Sequence, residues 1–162
     1  MFAGYDEKGK MRYANLRGTN SSYKGEVSGS DKRYSFKLQP KTEVTSVHLF
    51  ESAIDLLSYI SIQIITKEEW QTDGYLSLGG ISANGKELPL ALENYLSHNK
   101  RIDTIYLHLD NDEKGIEATE NLFNQLERKY TVVVQPPIFG KDVNDDLMIM
   151  KNRIYEERNE ER

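Results

Sequence analysis

The segment TIYLHLDNDEKG, residues 104–115, decides the fold predicted for this chain. An apolar run ends in an acidic turn with a glycine, and a helical pattern of apolar residues follows it. Three more short apolar runs occur at residues 47–50, 75–78 and 131–135, and the four runs start about 28 residues apart. Because helical patterns separate the runs, the alternation predicts βαβ units: an α/β fold with a four-stranded parallel sheet flanked by helices.

Acidic residues follow three of these four predicted strands. In an open parallel sheet the carboxyl ends of the strands meet at one edge, where ligands bind. We therefore expect these carboxylates to form a single cluster. Its candidate members are Glu51 and Asp55 after the first run, Asp110 and Asp112 after the third, and Asp142 and Asp145 after the fourth.

Clustered carboxylates repel one another unless a cation lies between them. The chain has no Cys, and its three His are dispersed at positions 48, 98 and 108, so a His-rich or thiolate metal site is not expected. The pattern favours a hard divalent cation, Mg²⁺ or Mn²⁺, which serves phosphate chemistry. A structural alternative stays open, because Asp110, Asp112 or Asn144 could cap helices and Glu51 could be an exposed first-turn residue.

Composition limits the class of protein. The chain has 162 residues, is 38% hydrophobic and 29% charged, and carries a formal net charge of −5, which indicates a soluble globular protein. No apolar run approaches the ~18 residues of a membrane span, and no secretory leader opens the chain, so we expect a cytoplasmic protein without a membrane anchor. The absence of Cys also excludes disulfides.

The net charge is unevenly distributed along the chain. Residues 1–45 contain nine basic and five acidic residues and so carry +4, whereas residues 46–162 carry −9. This asymmetry predicts a basic arm attached to an acidic domain. Although the net charge is negative, nucleic acid is therefore an expected partner.

Three units are predicted along the chain. Residues 1–45 form a basic, β-rich subdomain with a hairpin, a loop at 18–31 and a third strand within 34–38. Residues 46–150 form the α/β domain, and its last helix starts at about Val143. Residues 151–162 form a charged helix end or tail.

The motifs that follow the predicted strands resemble those of Toprim domains. VHLFESAID (47–55) resembles their first motif, and LHLDNDEKG (107–115) resembles the second in its primase form. GKDVND (140–145) resembles the third segment of primase-type Toprim domains. Residues 1–40 resemble the basic subdomain that precedes Toprim in bacterial-type primases, most closely in primase-like proteins of plasmids and conjugative elements.

The resemblance implies a Rossmann-like fold and a role for each motif residue. Glu51, Asp110 and Asp112 would be catalytic carboxylates, and Mg²⁺ (or Mn²⁺) would be held by these three with support from Asp55, Asp142 and Asp145. Contacts to nucleic acid or nucleotides would come from Arg17, Lys24, Lys32, Arg33, Lys114 and Lys141.

The function implied is that of a DNA primase-like catalytic fragment, which transfers nucleotides on a single-stranded DNA template with Mg²⁺. The fragment would be part of a larger replication or mobilisation protein. The sequence departs from the family pattern at two positions. Ser52 in place of Gly keeps the position small, whereas Asn144, where replicative primases more often have Asp, leaves the second metal site open. The alternatives are a non-catalytic nucleic-acid-binding or assembly module and a nuclease-type Toprim that hydrolyses phosphodiesters.

Overall fold

The structure, a computed structural model, describes residues 1–40, 42–81 and 87–160. Its first part is a three-stranded antiparallel sheet in the order β1-β2-β3. These strands are β1 (Phe2–Tyr5), β2 (Met11–Arg17) and β3 (Lys24–Glu26). The predicted hairpin is therefore present. The prediction of a continuous loop at 18–31 was wrong, because Lys24–Glu26 pairs with Asn15–Arg17.

The second sheet has five strands in the order β4-β6-β5-β7-β8. Four of them pair in parallel, as the sequence predicted: β5 (Ser46–Phe50), β6 (Gly74–Ser77), β7 (Thr104–His108) and β8 (Thr131–Val134). The fifth, β4 (Lys37–Leu38), pairs antiparallel with β6 at the edge of the sheet. The strand expected within 34–38 thus belongs to this sheet and not to the N-terminal one, and a 3₁₀ turn at Lys32–Tyr34 precedes it.

In the part of the chain that the structure describes, four helices cover the second sheet: α1 (Ala53–Thr66), α2 (Leu90–His98), α3 (Glu113–Leu126) and α4 (Val143–Glu160). The helix α4 continues through most of the predicted charged tail, and residues 161–162 lie outside the described residues. Among the described residues, no helix is long and apolar enough to cross a membrane.

The core lies on both faces of the five-stranded sheet, because alternate strand residues point to opposite faces. One face packs on α2 and α3, with Leu49, Ile105 and Leu107 fully buried. On the other face, Phe50 and Tyr75 pack with residues of α1 and α4.

Two histidines that are 60 residues apart in sequence meet in this second layer. Nδ1 of His48 lies 2.8 Å from Nε2 of His108, and both rings are buried. Burial lowers the pKa of each imidazole, so the pair is neutral and shares one hydrogen bond. Tyr106 stacks on His48 at 4.3 Å between ring centroids, which makes the pair part of an aromatic layer.

Candidate functional site

A cleft of about 520 Å³ lies at the carboxyl ends of β5 and β7, where the N-terminal sheet meets the α/β domain. It joins acidic residues from three strand ends with basic residues from both parts of the chain. The predicted site residues that line it are Arg17, Lys24, Glu51, Asp55, Asp110, Asp112, Lys114, Lys141 and Asp142.

Glu51 directly follows β5 and is half-buried in this cleft. Burial, followed by the negative charges of Asp110 and Asp112, raises the pKa of its carboxyl to about 7. Glu51 is therefore a carboxyl that exchanges its proton near neutral pH.

Asp110 and Asp112 occupy different environments although they are two residues apart. Burial, followed by the charges of Asp55 and Asp142, raises the pKa of Asp110 to about 6. Asp112 is the N-cap of α3, and its Oδ1 accepts a 2.9 Å hydrogen bond from the Gly115 amide, which lowers its pKa. The capping alternative is thus correct for Asp112, and its second oxygen still faces the cleft residue Lys141.

Gly115 allows the tight turn that presents these two carboxylates. A Cβ at this position would lie 2.0 Å from the carbonyl oxygen of Asp110, so only glycine permits this approach of α3 to the end of β7. The glycine in the motif is therefore a steric requirement of the site.

Lys141 lies between the two aspartates. Its Nζ is 3.1 Å from Oδ2 of Asp112 and 3.8 Å from Oδ2 of Asp110, and over half of its side chain is exposed. The carboxylates raise the pKa of Lys141, with Asp112 the main cause. The ammonium group offsets part of the negative charge of the cleft.

Ser52, the departure from the usual glycine, has two roles at the start of α1. Its Oγ accepts a hydrogen bond from the Asp55 amide and donates one of 2.6 Å to Oδ2 of Asp55. Asp55 is buried, and burial raises its pKa. The other departure, Asn144, accepts a 3.2 Å hydrogen bond from Ser58 Oγ, so its amide helps join α4 to α1.

Two consecutive acids after the GKD segment accept hydrogen bonds from backbone amides. Asp145 does not line the cleft, and its Oδ2 accepts a 3.2 Å hydrogen bond from the Lys141 amide. Asp146 is buried, and its carboxylate accepts hydrogen bonds of 2.6–2.8 Å from the amides of Ile138, Phe139 and Gly140. Sequence reasoning assigned no role to Asp146, because a run of acids in sequence does not show which carboxylate turns inward.

The basic candidates divide into two groups. Arg17 and Lys24, which are paired across β2 and β3, both line the cleft, and neither forms an ion pair with a described residue. Lys32 and Arg33 do not line it. Lys32 contacts Glu26 and the Gly79 carbonyl, and Arg33 pairs with Asp31 at 2.6 Å.

The cleft fits a metal ion only in an open form. Among residues 1–40, 42–81 and 87–160, no group of three or more acidic or His side chains is close enough to hold an ion. Mg²⁺, however, usually takes one or two carboxylates and completes its shell with water and phosphate oxygens. The donors are all oxygens. The pKa values of Glu51 and Asp110 are raised first by burial and then by neighbouring negative charges, and a cation would offset both effects.

Comparison with protein families places most of the chain. Residues 48–147 match the family described as Toprim-like, and residues 1–42 match a family described as a protein of unknown function, DUF3991. No curated protein matches the chain significantly in sequence.

Two similar solved structures come from bacteriophage T7. The primase fragment of its primase-helicase is 17% identical, with a TM-score of 0.60; the match covers 96% of this chain and 60% of that fragment. The other shows primase domains with the lagging-strand DNA polymerase, an RNA/DNA hybrid and dTTP. It is 18% identical, with a TM-score of 0.61, and the match covers 96% of this chain and 74% of that chain. At these identities, the likeness shows the fold.

The raised pKa of Glu51 predicts how stability depends on pH without divalent cations. A carboxyl whose pKa is higher in the folded state binds more protons there, so the free energy of unfolding falls as the pH rises from about 4.5 towards about 7. Glu51→Gln should reduce this fall and raise the Tm at pH 8 by a few degrees in thermal denaturation. Asp112→Asn is the matched control, because the pKa of Asp112 is lowered; an equal rise in Tm for that variant would contradict the explanation.

The two consecutive acids should differ in their effect on stability. Asp146→Ala leaves three amides without their acceptor, and we expect a loss of about 2–4 kcal/mol in the free energy of unfolding. Asp145→Ala, which removes exposed hydrogen-bonding groups, should cost less than about 1 kcal/mol. Urea denaturation of both variants measures the difference, and similar losses would refute the assignment.

Proposed function

Because this chain belongs to the Toprim-like family, we propose that it is the catalytic fragment of a DNA primase-like protein. It would join nucleotides by Mg²⁺-dependent nucleotidyl transfer on a single-stranded DNA template. The observation that carries this proposal is the shared cleft, in which the acidic edge of the parallel sheet faces Arg17 and Lys24 of the N-terminal sheet. Such a cleft offers carboxylates for a metal ion and cations for phosphates.

We assign the metal-binding role first to Asp110 and Asp112, with Glu51 beside them. Asp55 and Asp142 also line the cleft and would support a second ion. Asp145 remains a weaker candidate, because its carboxylate contacts the Lys141 amide. A bound Mg²⁺ would polarise a phosphoryl oxygen and stabilise the charge that develops during transfer.

Glu51 is our candidate general base. A group that removes a proton at neutral pH works best with a pKa near that pH, and the pKa of Glu51 is raised to about 7. Lys141 and Lys114 are the candidate phosphate contacts within the cleft. In this proposal, Lys141 exchanges its pairing with the two aspartates for a nucleotide phosphate once a cation neutralises them.

The basic residues of the N-terminal sheet would bind the template strand. Arg17 and Lys24 have no ion-pair partner among the described residues, so their charges are available to phosphates. Lys32 and Arg33 first have to leave Glu26 and Asp31, which makes their contribution smaller.

A non-catalytic nucleic-acid-binding module is the second candidate function. It is favoured by the ion pairs of Lys141 with both aspartates and by the lack of a three-ligand group among the described residues. In that case the carboxylates would position Lys141 for binding, and divalent cations would have little effect.

The proposal extends to the setting of the protein. The chain spans 60% of the T7 primase fragment that it resembles, and that fragment belongs to a primase-helicase protein. We propose that this chain likewise acts within a larger replication or mobilisation protein of a plasmid or conjugative element, in the cytoplasm. The support for this setting is the sequence resemblance of residues 1–40 and of the Toprim motifs.

Template-directed oligonucleotide synthesis tests the catalytic proposal. With single-stranded DNA, ribonucleotides and Mg²⁺, Asp110→Ala should reduce product at least ~100-fold, because it removes a central metal ligand. Glu113→Gln, an exposed acid that does not line the cleft, should retain activity. If Asp110→Ala made as much product as the wild-type protein, the mechanism would be excluded. Calorimetric Mg²⁺ titration separates the two candidate functions, because a response unchanged by Asp110→Ala favours the non-catalytic module.

Binding of single-stranded DNA should depend on two of the four basic candidates. We expect Arg17→Ala and Lys24→Ala each to weaken binding about three- to tenfold and to reduce its salt dependence, because each removes a phosphate contact. Lys32→Ala and Arg33→Ala are matched controls with smaller effects, since their charges are already paired. Fluorescence anisotropy at several salt concentrations measures both quantities. Equal effects from all four would show that only the overall charge matters.

A further inference from the structure

A second groove, of about 520 Å³, lies between α3 and the end of β8. Its floor is formed by Leu107 and Leu109, and its walls carry the partly exposed side chains of Ile116, Phe123 and Val134. The groove is lined by different residues from the cleft, with one exception. That residue is Asp110, which lines both the groove and the cleft.

We propose that this groove binds the base and sugar of a nucleotide whose phosphates lie in the neighbouring cleft. The inference deepens the proposed function and rests on it, since it names the place of the nucleotide substrate. Three features of the groove carry it: its lining, its charge and its connection to the cleft.

The lining suits a flat aromatic ring with polar edges. Phe123 provides an aromatic face for stacking, which is sequence-tolerant because every base has a π-face, and Ile116 adds apolar contact surface. Asn111 and Asn124 also line the groove, and a side-chain amide offers both a donor and an acceptor to a base edge. The volume lies within the range of small-molecule sites.

The charge of the groove fixes the direction of the ligand. Its lining contains two carboxylates, Asp110 and Glu120, and no Lys, Arg or His from the described part of the chain. A phosphate inside the groove would be repelled, whereas an uncharged base and a ribose would not. The phosphates therefore point past Asp110, where the Lys141 ammonium lies 3.8 Å from its Oδ2.

The backbone joins the groove to the cleft. The amide of Asn111, in the groove, donates a 2.7 Å hydrogen bond to the carbonyl of Lys141, in the cleft. Gly115 holds the start of α3 against Asp110, and the next residue, Ile116, is already in the groove. A ligand that bridges both sites meets a surface whose two halves are positioned by the same turn.

Nucleoside binding without divalent cations tests the groove separately from catalysis. Adenosine and guanosine carry no phosphate, so their binding, followed by NMR chemical-shift titration of the full chain, reports the groove alone. Ile116→Ser should weaken it roughly fivefold or more, because the variant removes apolar contact surface. The matched control is Ile64→Ser on α1, since Ile64 is 56% exposed and Ile116 is 49% exposed, and α1 lies on the opposite face of the sheet from α3. Phe123→Ala is a second groove variant.

Each outcome has a defined meaning. Loss of nucleoside binding in Ile116→Ser but not in Ile64→Ser supports the groove, even if the chain makes no oligonucleotide and the proposed function fails. Unchanged nucleoside binding in Ile116→Ser, or none at millimolar nucleoside, overturns the groove, while primer synthesis by the same protein would leave the proposed function intact. If Ile116→Ser alters only the oligomeric state, the groove is a protein interface and the proposal is wrong.

Discussion

The parallel pairing of β5 with β7 is the constraint on which the rest of the structure depends. Phe50 is in register with His108, so the segments that follow β5 and β7 leave the sheet side by side. Glu51 and Asp110 therefore lie near each other. Because the two strands are parallel, their carboxyl ends lie at the same edge of the sheet. The cost is electrostatic, because burial and like charges raise the pKa values of Glu51 and Asp110 to about 7 and about 6.

Much of the surrounding structure offsets this cost or holds its parts in place. The Lys141 ammonium lies beside both aspartates, and the Gly115 amide stabilises the charged form of Asp112. Ser52 donates to Asp55, and Asp146 fixes the backbone that leads to Lys141. Hydrogen bonds from backbone and hydroxyl groups are the usual means of keeping carboxylates buried in a protein.

The elements of the α/β domain were predictable, because a strand and an amphipathic helix each leave a periodic pattern. The strand at 37–38 was harder to place, since two residues have no period and either sheet could have taken them. The acids after β8 show the same limit within the site. Asp142, Asp145 and Asp146 are the same residue type, yet Asp142 lines the cleft and Asp146 is buried beneath the turn. Asp142 directly precedes α4, and the different positions of Asp145 and Asp146 depend on the phase of this helix, which begins at Val143.

The sequence by itself determined the four parallel strands, their order along the chain and the carboxylates that follow them. These features are predictable because they depend on local patterns: apolar runs of strand length, glycine-containing turns and a fixed spacing. Only the tertiary structure decided which groups meet across the chain. It set Arg17 and Lys24, but not Lys32 and Arg33, in the cleft, and it joined His48 to His108. Such contacts depend on how sheets and helices pack, and packing brings together residues whose separation in sequence carries no signal.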